Sequence, residues 1–160
     1  MQDDALWSSL VEECTNLEPG GRSLHLAVFV EPYLGLLMAG KKTIESRFSQ
    51  NGCAPFEQVF QGDLVLLKHA GSAIVGIGHV REARHIRRAE GSWEQLRETF
   101  QEQLCATEKE FWENTSIATH ATLIWFDRLR PLPSLDCEKR DRRGWVVLRR
   151  ASDQLCLEFV

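Results

Sequence analysis

The stretch Gly40-Lys41-Lys42-Thr43-Ile44-Glu45-Ser46-Arg47 sets a backbone punctuation mark beside charged groups at fixed spacing. Ahead of it, Tyr33, Leu34, Leu36, Leu37 and Met38 form an apolar stripe at helical spacing. Pro32 fits the first turn of that helix, where its missing N–H has no partner to lose, and Gly40 fits the left-handed residue that closes it. Behind it, residues 43–49 mix β-branched and aromatic side chains as strands do. Successive side chains of an extended chain alternate faces. Thr43, Glu45 and Arg47 therefore share one side and Ile44, Ser46 and Phe48 the other, with Glu45 and Arg47 about 7 Å apart. Lys42, where helix hands over to strand, can lean toward the face of Glu45 and Arg47.

Outward from this segment the chain reads as more short strands. Residues 24–30 alternate through Leu24, Leu26, Val28 and Val30 as a half-buried strand does. Asn51-Gly52 and Pro55 mark a loop, and Gly62-Asp63 is a turn into an apolar strand over residues 64–68. Residues 73–80 form another strand, with Gly76 and Gly78 on one face, a pattern that calls for curvature or close approach of a neighbour. Ser92-x-x-Gln95 and Thr107-x-x-Glu110 have the spacing of capping boxes and predict two helices, a helical insert near residues 92–114. Strands over 119–129 and 144–148 follow, and residues 155–160 could add one more. An amphipathic helix over residues 4–17 ends at Pro19-Gly20-Gly21. The expectation is an α+β protein: an N-terminal helical extension over residues 1–21, then one domain over residues 22–160, a small open β-barrel of about five or six strands with flanking helices.

Bulk composition narrows the class. At 160 residues, with 43% hydrophobic and 26% charged content, the chain suits a single core. No apolar run reaches the roughly 20 residues that span a bilayer, and the acidic start, Met1-Gln2-Asp3-Asp4, is unlike a secretory signal, so a cytoplasmic protein without membrane contact is expected. Five scattered cysteines and five scattered histidines offer neither a C-x-x-C pair nor two ligands on one helical face. No metal and no cofactor is expected, since a glycine-rich phosphate loop is also missing. The net charge of −4 opposes non-specific coating of nucleic acid, but bases cluster at Arg81, Arg84, Arg87 and Arg88 and again from Arg128 to Arg150.

The central stretch resembles the G-x-K-x-x-E-x-R signature of the ASCH family, with Gly40, Lys42, Glu45 and Arg47 at its four fixed positions. The strand and helix before it, the Gly62-Asp63 turn and the glycine-bearing strand over residues 74–80 are similar too, so that the likeness runs over about residues 24–148. The resemblance implies a PUA-like barrel whose cleft suits RNA or a modified nucleoside. Some relatives are small amidohydrolases that deacetylate acetylated cytidine, and others have been proposed to cleave RNA. In the amidohydrolase pattern the lysine matching Lys42 is catalytic, aided by a threonine where this chain has Glu45. A carboxylate there should hold Lys42 protonated, opposing its use as base or nucleophile.

Two descriptions of the charged trio stay open at this stage. One is a surface ion pair beside a lysine at a helix C-terminus. The other is a ligand site in which Lys42 neutralises charge, Thr43 lies alongside, Glu45 accepts from an amino group and Arg47 grips phosphate. The loop Lys139-Arg140-Asp141-Arg142-Arg143-Gly144-Trp145 is either solvated or holds a nucleic-acid backbone with a base stacked on Trp145. Tyr33 and Lys68 are placed at the edge of the same cleft. Arg81, Arg84, Arg87 and Arg88 either extend the same surface or pair with the acidic helices, the second reading being favoured because opposite-sign segments in one domain tend to offset each other. RNA or a modified nucleotide is the expected partner. A hydrolase using Lys42 and Glu45 is the alternative, and a protein-interaction surface on the acidic helices is a third.

Overall fold

The computed structural model describes residues 22–88, 92–137 and 142–150, together with Ala5, Ser8 and Ser9, which are helical. The rest of the expected N-terminal helix, the segment from Lys139 to Asp141 and the strand expected over residues 155–160 lie outside the described residues.

Six strands form one curled sheet, an open half-barrel. They are β1 (Leu24–Phe29), β2 (Ile44–Ser49), β3 (Leu64–His69), β4 (Ile74–Arg87), β5 (His120–Leu135) and β6 (Trp145–Arg149), in the spatial order β2-β5-β4-β3-β1-β6. β1 and β3 are parallel and every other neighbouring pair is antiparallel. Helix α1 (Tyr33–Met38) links β1 to β2, and α2 (Glu94–Phe100) and α3 (Lys109–Asn114) fill the connection from β4 to β5. β4 and β5 are much longer than expected, and their pairing slips at three places. Each slip bends and twists the ribbon, which lets one strand pair serve the whole curve.

Both faces of β1 and β3 are covered, which is why Leu64-Val65-Leu66-Leu67 is apolar without alternation. Ala27, Phe29, Val65 and Leu67 join Leu34 and Leu37 of α1 with Ile124 and Trp145 in one cluster. Leu26, Leu64 and Leu66 turn the other way, onto Ile74, Ile77 and Leu135. A third cluster sets Ile44 and Leu123 against Trp93, Leu96, Leu104 and Trp112 of the helical insert. The close approach expected at the strand glycines is present. A Cβ at Gly78 would stand 2.8 Å from Leu129 and 2.9 Å from Phe126, and one at Gly76 would meet Met38 at 3.2 Å.

The capping boxes do not form. The residues directly ahead of α2 and α3 are Trp93 and Glu108, which cap neither helix; Ser92 Oγ accepts Glu94 N at 3.3 Å, without the reciprocal bond from Gln95 that would close the box. Tertiary hydrogen bonds fix the insert instead: the Trp93 indole donates to Ala118 O at 3.0 Å and the Trp112 indole to Ala106 O at 2.7 Å.

A buried polar chain ties β6 to the Gly62-Asp63 turn. Trp145 Nε1 donates to His25 Nδ1 at 3.0 Å, and His25 Nε2 meets Asp63 Oδ2 at 2.9 Å. An indole only donates, so His25 Nδ1 is the acceptor and the ring proton sits on Nε2, aimed at the carboxylate. Asp63 also accepts the backbone N–H groups of Ser23 and Phe60. The turn thus serves as a hub that anchors β1, β3 and β6 together.

Candidate functional site

Gly40 adopts φ +75°, and nothing within 4 Å would obstruct a Cβ there, so its requirement is conformational. The reversal places the N–H groups of both Lys41 and Lys42 on Leu36 O at 3.0 Å. The chain leaves α1 with Lys42 turned inward, and Thr43 N and Ile44 N then bond Gln103 O of the insert. From there alternation proceeds: Ile44 and Phe48 face the insert, while Glu45 and Arg47 face a cleft of about 310 Å³. Tyr33, Lys42, Phe111 and Val28 also line it, together with Phe29, Val30 and Ser46. Thr43 is exposed and not part of it.

Lys42 is 2% exposed. Its Nζ donates to Leu104 O at 2.8 Å and lies 5.3 Å from the centre of the Tyr33 ring. Burial pushes its pKa below the ordinary lysine value of 10.5; Glu45 acts the other way and does not win. Glu45 thus favours the protonated amine as expected, but its pull is outweighed by burial. Desolvation by the insert, which sequence proximity does not reveal, is the larger effect.

Glu45 is 5% exposed. Oε1 accepts Ser46 N at 2.8 Å and stands 3.6 Å from Arg47 Nε, while Oε2 is buried with no hydrogen-bond partner. Lys42 and Glu45 line the same cleft without forming an ion pair. Two opposite charges, both desolvated, leave a gap between them. The carboxylate also contributes, after burial, to raising the pKa of Tyr33 above 10.0.

Arg47 has a structural duty. Its Nη1 donates to Gly144 O at 3.0 Å and Nη2 to Val28 O at 2.9 Å, and its guanidinium lies over the rings of Phe29 and Trp145. It thus links the edge strand β2 to the opposite margin of the sheet. Trp145, 2% exposed, is a core ring beneath Arg47 and bonded to His25, so stacking of a base on it is ruled out by burial. Lys68, Arg142 and Arg143 line a neighbouring cleft that shares Val28 with the first. Among the described residues, Arg84, Arg87 and Arg88 do not pair with carboxylates of the acidic helices. Arg84 bonds Glu82, Arg87 bonds Glu57 and Arg88 donates to Ser116 O.

Sequence reasoning missed Phe111, the Leu104 carbonyl, and the Val28 and Gly144 carbonyls. The last three are backbone groups that no residue type announces, and Phe111 reads as an ordinary helix residue.

A curled α+β half-barrel with a lysine and a glutamate buried in a cleft beside the first helix defines the class. The ASCH domain family matches residues 28–123, more than half of the chain, and the chain belongs to that family. Among solved structures it is similar to an ASCH protein from Zymomonas mobilis, at 12% identity and a TM-score of 0.61, covering 85% of this chain and 94% of that one. A point variant of the same protein gives 12% identity and a TM-score of 0.62 over 86% and 98% of the two chains. At that identity the likeness concerns the fold. No curated protein matches in sequence. No helix among the described residues is long and apolar enough to cross a membrane.

Proposed function

We propose that the cleft between α1 and β2 binds the base of an RNA or of a nucleotide-like ligand. The observation that carries this reading is the buried Oε2 of Glu45, which has no partner while Lys42, held by the Leu104 carbonyl and in no ion pair with a described residue, lines the same cleft. A desolvated carboxylate oxygen without a donor costs stability, and a ligand N–H removes the cost. The complementary group is an edge with a donor beside an acceptor, as a nucleobase presents: its N–H to Glu45, its carbonyl to Lys42. Tyr33 and Phe111, 6.3 Å apart between ring centres, supply aromatic walls.

Calorimetric titration with nucleosides and short oligoribonucleotides tests the reading. Glu45→Gln should weaken binding about tenfold or more, the worth of a charge-assisted hydrogen bond. Affinity unchanged in that variant, or no binding of any nucleoside or RNA, would refute it.

Hydrolysis is a second reading, favoured by the lowered pKa of Lys42. A neutral amine there can take a proton from water as the oxygen attacks the acyl carbon of an N-acylated nucleoside. The C–N bond then breaks and the proton passes to the leaving nitrogen, giving an acid and the free amine. Release of cytidine from its N-acetyl derivative, abolished by Lys42→Met, would support it; an untouched substrate after long incubation would dismiss it.

A further inference from the structure

We infer that the cleft lined by Lys68, Arg142 and Arg143 is a phosphate subsite, so that the ligand is a nucleotide unit and not a free nucleoside. The inference deepens the base-binding reading above and rests on it only for the identity of the rest of the ligand. The cleft measures about 410 Å³ and is bounded by Val28, Gly71 and Ser72 as well as the three cations; among the described residues none that lines it is acidic. Lys68 is 4% exposed, and its Nζ donates to the carbonyl of its own neighbour, His69, at 3.1 Å. That carbonyl already accepts Ser72 N in the hairpin turn. An ammonium has three N–H groups, so two remain for an acceptor that no described residue provides.

A buried cation held by one shared carbonyl is costly unless an anion completes it. Two arginines beside a lysine match a phosphate in charge and in geometry: the guanidinium forks take paired oxygens and the lysine acts as a point charge. Gly71, at φ +70° and with open space where a Cβ would be, leaves the turn backbone approachable. The position fits the base reading. Val28 pairs with Lys68 across β1 and β3 and forms a wall of both clefts, so the phosphate subsite adjoins the Glu45 pocket.

Inorganic phosphate is the direct probe. Added to the ¹⁵N-labelled full chain at constant ionic strength, it should shift the amides of Gly71, Ser72 and Gly144 saturably, and Lys68→Met should abolish the response. Arg142→Gln, an exposed position, should weaken it severalfold and serves if Lys68→Met fails to fold. No saturable shift, an equal response to acetate, or a response untouched by both variants would overturn the subsite. Calorimetry then compares a nucleoside with its monophosphate and with a dinucleotide. The phosphorylated forms should bind about tenfold tighter, a ratio that falls toward one in the variants. Phosphate shifts without nucleoside binding would sink the base reading and leave the subsite standing; nucleoside binding without phosphate shifts would do the reverse.

Discussion

Lys42 and Glu45 are identifiable from spacing alone, yet the charge state of the lysine is not. Its burial comes from Leu104 and Phe111, some sixty residues further along the chain, and no local pattern reports a desolvation imposed at that range. The consequence can be measured. Because the folded pKa lies below 10.5, the unfolded chain binds more protons in the window between the two values, and stability contributed by this site rises with pH there. Urea denaturation should therefore show wild-type stability, relative to Lys42→Met, increasing as pH rises through the folded pKa toward 10.5. A flat or falling difference would mean that the amine titrates normally. Tyr33 gives an independent reading, since it is the chain's single tyrosine. Its phenolate absorbance should develop above pH 10.0, and Glu45→Gln should move that transition down part of the way, with burial maintaining the rest.

At the scale of elements, alternation along β2 is legible because a strand has only two faces, and it separates Ile44 and Phe48 from Glu45 and Arg47 as expected. What Arg47 does is a different matter, because its acceptors are carbonyls on β1 and ahead of β6. The helix starts misled for a related reason. Ser92 and Thr107 have the right type and spacing, but Trp93 and Trp112 gain more by packing under the sheet, so that Ser92 keeps one local contact, to Glu94 N, and neither box closes. Removing Arg47 should unfasten the margin. Arg47→Met is expected to cost about 2–3 kcal/mol in chemical denaturation, since it removes two hydrogen bonds from a charged donor and leaves Gly144 O with Val28 N–H alone, and Arg47→Lys should rescue little because one ammonium lacks the planar fork. Gly78→Val should cost about 1–3 kcal/mol by overpacking against Phe126 and Leu129. A stable Gly78→Val protein would show that this stretch of β4 has room to yield.

For the whole molecule, the strands themselves follow from periodicity, but their order does not. Nothing local says that β1 pairs with β3 in parallel or that β2 and β6 end up as the two margins; the family signature supplied the architecture that patterning left open. Charge has the same non-local character. The net value of −4 hides a cleft whose charged lining, among the described residues, is cationic, while Glu94, Glu98, Glu102, Glu108, Glu110 and Glu113 of the insert point to solvent. An anionic strand should then be held by a few local contacts with little long-range attraction. Single-stranded RNA loses about 0.7 in the slope of log affinity against log salt for each phosphate neutralised. With one phosphate held by Lys68, Arg142 and Arg143, the slope for a short oligoribonucleotide should be about −0.7, and Lys68→Met should bring it toward zero. A slope near zero would mean that the cationic cleft stays outside the contact, and one much steeper would bring in the arginines of β4.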